Sequence, residues 1–538
     1  MYAANTQPGW KATSSTGAVA AGGAPAVMAG LHILEQGGNA ADAAAATILA
    51  LNVTDHIACS IGGEVPLLIY DAKTRLVKSL CGQGRAPLSQ AAIDWYMQYG
   101  IPAGDIKMAP VPSVVDLCIT ALIHYGTFSF TQIVAPTLAL LDEAEEEWHP
   151  RLALTLRRLV EEETLTRGSR EEKLRAAGDR FYGRHPLRND VAEDLEAFYI
   201  ERGGFLRRAD LAAHRTTIEE PVSAQYRGYT VSKCGPWTQG PYLCQALRLL
   251  EGFDLKKMGL NSADYVHVVI EAIKLAMADR DEYYGDPSFV DVPMVELLSD
   301  EYTQLRRPLI DLAHAAQEAR PGDPRNLKAL KGPGVFRPGP GGTTTCVVAD
   351  RWGNVVAATP SANVHHENPM GGRAGVSFGN RLRSLNTTPG HPNCIAPGKR
   401  PRITLTPTLV LKEGKPVLAI SVAGGDLQNQ AALTLLLNHI EFGQPPEEAV
   451  RTPRFATYHH QDSFDPNPNR EQTFVRAGSL TISDSIDVGV HQDLAGRGHQ
   501  VEATATHIAT PVMLYIDPAG VFHAAGDPEA GRHAAGLE

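Results

Sequence analysis

One stretch constrains this chain more than any other: Gly341-Gly342-Thr343-Thr344-Thr345-Cys346-Val347-Val348-Ala349-Asp350-Arg351-Trp352-Gly353-Asn354-Val355-Val356-Ala357-Ala358-Thr359. Residues 347–349 and 355–359 predict two short strands, and the Asp-Arg-Trp-Gly-Asn sequence between them predicts a tight turn, making a hairpin. The approach is of another kind. Residues 331–342 hold too many Gly and Pro for the interior of a helix or sheet, so 321–342 is expected to be exposed and to run straight into a threonine at the mouth of a strand.

That layout suits a chain that cuts itself. The Thr343 hydroxyl would attack the Gly342 carbonyl, an N-to-O acyl shift would give an ester, and hydrolysis would free Thr343 with its α-amine beside its own hydroxyl as a built-in base. The stretch taken alone also suits a plain loop entering an edge strand, because the β-branch of threonine favours strands.

At 538 residues the chain can bury a large core, and its 43% apolar and 20% charged residues are those of a globular protein. A formal charge of -11 offers no basic field for a polyanion, which excludes nucleic acid as a partner. The first residues lack a basic segment followed by an apolar core, and the apolar run over 23–53 is broken by His32, Glu35, Gln36, Asn39 and Asp42. No membrane partner is expected. Cys59, Cys81, Cys118, Cys234, Cys244, Cys346 and Cys394 are scattered without a CxxC pair, which points to a reducing cytoplasm and away from zinc. No metal or other cofactor is expected: His365-His366 and His459-His460 are loop pairs, and the acidic run 142–147 reads as a solvated face. Cys346 lies an odd number of residues beyond Thr343, so alternation gives it a packing role.

Helices are expected over 26–36, 40–51, 114–125, 130–141, 152–162, 193–201, 245–250, 264–281 and 428–439. Strands are expected over 65–70, 76–78 and 226–232, with further hairpins over 406–422 and 512–524. Helices against hairpin sheets suggest layers. Ala423-Gly424-Gly425-Asp426 joins a strand to a helix, and two glycines there let backbone N–H groups point outward to hold an oxyanion.

These pieces carry a resemblance. Gly37-Gly38-Asn39-Ala40-Ala41-Asp42, Gly62-Gly63, Gly235-Pro236-Trp237-Thr238-Gln239-Gly240, the Thr343 stretch, Pro397-Gly398-Lys399-Arg400-Pro401, Gly424-Gly425, Pro453-Arg454 and Gly526-Asp527-Pro528 follow in order from about 22 to 526. Together they resemble the γ-glutamyltranspeptidase family of N-terminal nucleophile hydrolases. The resemblance implies an α+β fold, the four-layer αββα sandwich, in which residues 1–342 form a large subunit with an exposed C-terminal linker and 343–538 a small subunit beginning with the nucleophile. Thr343 falls on the catalytic threonine, with cleavage between Gly342 and Thr343. Ser361 falls on a supporting hydroxyl, Asn363 on a substrate-binding asparagine, and Gly424 and Gly425 on the oxyanion pair.

Departures from the family point at the substrate. Gln83 stands where transpeptidases have an arginine that clasps an α-carboxylate, and a neutral amide cannot replace that clamp. The acidic residues that hold an α-amino group give way to Gly379-Asn380-Arg381-Leu382-Arg383-Ser384, where Arg381 or Arg383 would repel an ammonium and welcome a carboxylate. Two serines are replaced by Ile403 and Thr404. The expected activity is hydrolysis of a small amide, carboxylate-bearing on its acyl side, similar to the oxamate amidohydrolase-like branch. A γ-glutamyl hydrolase or transferase and a non-catalytic structural relative stand as alternatives. The partners implied are the small amide, the two subunits of one precursor and, left open, a second copy of the chain.

Overall fold

The computed structural model describes residues 8–143, 146–329, 342–362 and 371–537. Two seven-stranded sheets, antiparallel throughout, face each other. The first runs in the order His533–Gly536, Gly17–Ala21, Cys346–Asp350, Val355–Ala358, Val65–Asp71, Leu76–Gly82, Thr217–Glu219. The second runs Lys11–Ser14, Phe522–Gly526, Thr510–Ile516, Lys415–Ala423, Thr408–Lys412, Tyr229–Lys233, Val222–Tyr226.

Alternation along the strands builds the layers. On Cys346–Asp350, Val347 and Ala349 point between the sheets, where they meet Leu409, Ala419, Val512 and Leu514 of the second sheet. Cys346 and Val348 point the other way, into helices Ala24–Glu35, Ala40–Thr54 and Val114–Tyr125. Val410, Ile420, Val422 and Met513 of the second sheet face helices Pro241–Leu250, Ala263–Tyr283 and Gln428–Ile440. Helix, sheet, sheet, helix is the αββα sandwich, and the hairpin bearing the threonines lies at its centre, buried on both faces. No described helix is long and apolar enough to cross a membrane.

Local chemistry fixes how this hairpin is held. The Asp350 carboxylate accepts from Trp352 N at 2.8 Å and Asn354 N at 3.0 Å, closing the turn, and also from Ala40 N at 2.8 Å. It thereby ties the hairpin to the N-terminus of the alanine-rich helix, which Asn39 and Asp42 cap reciprocally.

Two expectations need correcting. The strand read over 226–232 is a hairpin, Val222–Tyr226 with Tyr229–Lys233, because Arg227 and Gly228 both adopt positive φ (50° and 82°) and turn the chain. Nor does exposure begin at 321. Gly322–Asp323 pairs with Lys328–Ala329, and Gly322 is buried with its N–H on Asp279 at 2.8 Å and its carbonyl on Tyr283 Oη at 2.6 Å. The Gly/Pro stretch 330–341 and the imidazoles of His365 and His366 lie outside the described residues.

Candidate active site

Thr343 lies just before the start of a central strand of the first sheet and is almost wholly buried. Its neighbour Thr344 is pinned on both sides: its N–H donates to Pro360 O at 2.9 Å and its hydroxyl to Asp55, which Arg532 approaches at 3.4 Å. Beyond it, Thr345 O accepts from Gly22 N at 3.2 Å. Thr343 is therefore held by a fixed backbone.

Around Thr343 the hydroxyls converge on one carbonyl. Thr343 Oγ1 donates to Gly342 O at 2.7 Å, and Ser361 Oγ donates to the same oxygen at 2.6 Å. Thr343 Oγ1 and Ser361 Oγ are 3.4 Å apart. Two donors on one carbonyl oxygen draw electron density from its carbon, which suits nucleophilic attack there. Ser361 is placed by a bridge to Glu64, with N–H···O contacts of 2.8 and 2.9 Å in the two directions. That bridge requires Gly63, where a Cβ would sit 2.1 Å from Ser361 O.

Arg381 enters as a support. Its Nη2 donates to Ser361 Oγ at 2.8 Å and its Nε to Glu64 Oε1 at 2.6 Å, with both side chains buried. Burial pushes the Glu64 carboxyl up, and Arg381 pulls it partly back. Arg383 lies instead over the Phe464 ring at 4.5 Å, and burial together with the Arg381 charge pushes it down to about 10. Facing it electrostatically is Asp462, which burial and the charge of Asp426 push up to about 6.

Gly424 and Gly425 close the other side. Their φ angles of 147° and 60° are glycine conformations, and they set the chain into helix Gln428–Ile440. Asp426 follows them, held far below the usual carboxylate range although burial opposes this, because Arg280 lies 2.5 Å away. Arg280 also donates to Gln239 Oε1 at 2.8 Å, and Gln239 Nε2 reaches Gly425 O at 3.2 Å and Thr404 O at 2.9 Å. The glycine turn is thus braced from behind. A cleft of about 610 Å³ opens on Gly342, Thr343 and Gly424, with Asp55, His56, His507 and Arg532 on its walls.

The remaining expected residues sit as follows. Gln83 is buried one residue past Gly82, whose partner Val65 adjoins Glu64; its Nε2 bonds Gly84 O at 2.9 Å and its Oε1 meets no partner among the described residues. Thr404 is buried with its hydroxyl likewise unpartnered. Asn363 lies outside the described residues. Cys346 is buried on the helix side, away from the cleft, and burial pushes its thiol far up.

His459 and His460 are buried on backbone partners, Gly478 N and Gln461 O. Among the described residues one trio, His267, Glu271 and His499, is close enough to share an ion, but both nitrogens of His267, Nε2 of His499 and the Glu271 carboxylate already have protein partners. His267 bonds His499 at 2.8 Å and Asp311 O at 2.7 Å, while Lys274 and Arg320 neutralise Glu271 at 2.8 and 3.1 Å.

Sequence reasoning missed Glu64, Asp55, Arg532, Arg280, Gln239 and Gln428 as parts of this region. Glu64 directly follows the Gly62-Gly63 motif, and Gln428 lies three residues past Gly425. Asp55 and Arg532 are 477 positions apart and left no local signal.

The gamma-glutamyltranspeptidase family model matches residues 26–144 and 140–537. The chain is 30% identical to the glutathione hydrolase proenzyme of Bacillus subtilis (strain 168), over 94% of this chain and 89% of that protein. Among solved structures it superposes on LmbA2991HD with a TM-score of 0.86 at 32% identity, covering 99% of this chain and 100% of the other. It superposes on the cephalosporin acylase from Bacillus halodurans with a TM-score of 0.80 at 25% identity, covering 100% and 98%. The chain therefore belongs to the gamma-glutamyltranspeptidase family: it is an N-terminal nucleophile hydrolase, made as a proenzyme that processes itself and then hydrolyses amide bonds.

Proposed function

We propose that Thr343 is the nucleophile for both self-cleavage and turnover. Cleavage at Gly342–Thr343 would give a large subunit of residues 1–342 and a small subunit of residues 343–538. The observation that carries this reading is the pair of hydroxyls on Gly342 O, Thr343 at 2.7 Å and Ser361 at 2.6 Å, beside the Gly424-Gly425 turn. In turnover the freed Thr343 amine takes the proton from its own hydroxyl, Oγ1 attacks the substrate carbonyl, and the N–H groups of Gly424 and Gly425 hold the oxyanion. Ser361, polarised by the hydrogen bond it accepts from Arg381, keeps the nucleophile aligned. Collapse of the oxyanion intermediate breaks the C–N bond as the Thr343 amine returns the proton to the departing amine, and water then hydrolyses the ester left on Oγ1. Seven unpaired cysteines, six of them buried, suit a reducing compartment such as the cytoplasm.

For the substrate we propose a small amide with a carboxylate on its acyl side, as in the oxamate amidohydrolase-like branch. Arg381 or Arg383 is the anion partner, and Arg383 is the one whose removal leaves the Ser361 contact intact. Asn363, Gln83 and Thr404 supply neutral contacts. A second reading, a γ-glutamyl hydrolase or transferase, is favoured by Glu64 Oε2, a buried carboxylate oxygen without a partner among the described residues that suits an ammonium. A panel of oxamate-like amides, plain acyl amides and γ-glutamyl amides, run with Arg383→Ala, separates the two. The first reading predicts turnover of the carboxylated amides and about a tenfold loss in kcat/KM on losing Arg383. Efficient release from γ-glutamyl amides with no turnover of the others would replace it by the second.

A further inference from the structure

Gln428 is the first residue of its helix and is buried to 1% exposure. One end of its carboxamide lies 3.3 Å from Thr343 Oγ1 and 3.2 Å from Gly425 N, and the other lies 3.1 Å from Val422 O. These neighbours decide which end is which. The Val422 carbonyl demands a donor, so Nε2 faces it, and Oε1 accepts from the Gly425 N–H; the Thr343 proton is engaged on Gly342 O, so Oε1 lies beside Thr343 Oγ1 without a bond to it. The side chain therefore holds one of the two proposed oxyanion donors beside the nucleophile.

We infer that Gln428 is a positioning residue for acyl transfer, an inference that rests on Thr343 being the nucleophile. A buried N–H without an acceptor is costly, and the Gly424-Gly425 turn, with both φ angles positive, has other orientations open to it. Oε1 satisfies the Gly425 N–H in the resting enzyme and keeps it aimed at the space beside Thr343 Oγ1. It yields that N–H when an oxyanion forms. The bond from Nε2 to Val422 O fixes the amide against rotation, so the acceptor end cannot turn away from the nucleophile. Neither a hydrocarbon nor an ionised side chain reproduces this donor–acceptor pair. A carboxylic acid does, since its O–H can donate to Val422 O while its carbonyl accepts from Gly425 N–H.

The test uses the full chain with Gln428→Met, Gln428→Glu and, as a control on the nucleophile, Thr343→Ala. Self-cleavage is followed by intact mass, and amide hydrolysis by kcat and KM across pH. Gln428→Met is expected to slow cleavage about tenfold or more at every pH, and to lower kcat of the matured enzyme by a similar factor with KM unchanged. Gln428→Glu is expected to approach wild-type cleavage in acid and to lose it as pH rises and the carboxyl ionises, a limb the wild type lacks. The other titratable groups around the cleft, His56, His507 and the pairs Asp55 with Arg532, Asp426 with Arg280 and Glu64 with Arg381, are common to wild type and variant, so a limb found in the variant alone would belong to residue 428. Gln428→Met cleaving and turning over like wild type would overturn the inference, as would Gln428→Glu showing no pH limb. If Gln428→Met does not fold, the Gln428→Glu profile decides alone. Cleavage of Thr343→Ala would instead overturn the nucleophile assignment itself.

Discussion

Replacing Arg381 by Met separates the structural from the catalytic part of the site. Arg381 and Glu64 form a 2.6 Å ion pair with side-chain exposures of 1% and 0%, so removing the guanidinium leaves a carboxylate buried without its counter-charge. Breaking such a pair from one side costs about 3–5 kcal/mol, whereas neutralising both partners costs far less. The pH dependence follows from the direction of the Glu64 shift. Its folded pKa is already raised by burial, and loss of Arg381 raises it further. The folded variant then holds a proton that the unfolded chain has released, so its stability is greatest at acid pH and falls as pH rises through the folded pKa, by up to about 1.4 kcal/mol per pH unit. The assay is urea unfolding between about pH 5 and about pH 8, in a Thr343→Ala background so that every protein is a single chain. Arg381→Met should be several kcal/mol less stable at the alkaline end and recover on acidification. Glu64→Gln combined with Arg381→Met should restore most of the stability and abolish the extra pH dependence. In the Thr343 background both variants should still cleave slowly, because Ser361 Oγ has lost its donor. Equal stability of Arg381→Met and its parent at every pH would refute the reasoning.

Ser361→Ala removes a 2.6 Å donor from Gly342 O and should slow self-cleavage by about 10²–10³-fold with little change in Tm, measured by gel densitometry over time. Gly63→Ala would place a Cβ 2.1 Å from Ser361 O, so the chain must shift there, and the variant should accumulate as uncleaved precursor of reduced stability.

The sheet framework was legible wherever strands carry β-branched residues ending in turn chemistry, as in 346–359, 408–423 and 510–526. Gly17–Ala21 was not, although it pairs with the central strand, because Gly-Ala-Val-Ala-Ala has no alternation to read and its partner is more than three hundred residues away. The same division runs through the site. Thr343, Ser361, Gly424 and Gly425 stand in recognisable local strings; the structure sets the first two on the Gly342 carbonyl and puts Gly424 on the same cleft. From sequence Arg381 reads as a ligand for substrate, since a charge stands there without its neighbours; the fold adds Glu64, 317 positions earlier, and Ser361 as its contacts. The Asp55–Arg532 contact on Thr344 and the carboxamide of Gln428 likewise depend on the folded arrangement alone.

The most direct test of the central claim is intact-mass measurement with N-terminal sequencing of the purified wild type and Thr343→Ala. The account predicts two polypeptides for the wild type, the smaller beginning Thr-Thr-Thr-Cys, and one uncut chain for Thr343→Ala. A wild type that hydrolyses amides while remaining a single chain, or one cut at another bond, would contradict it.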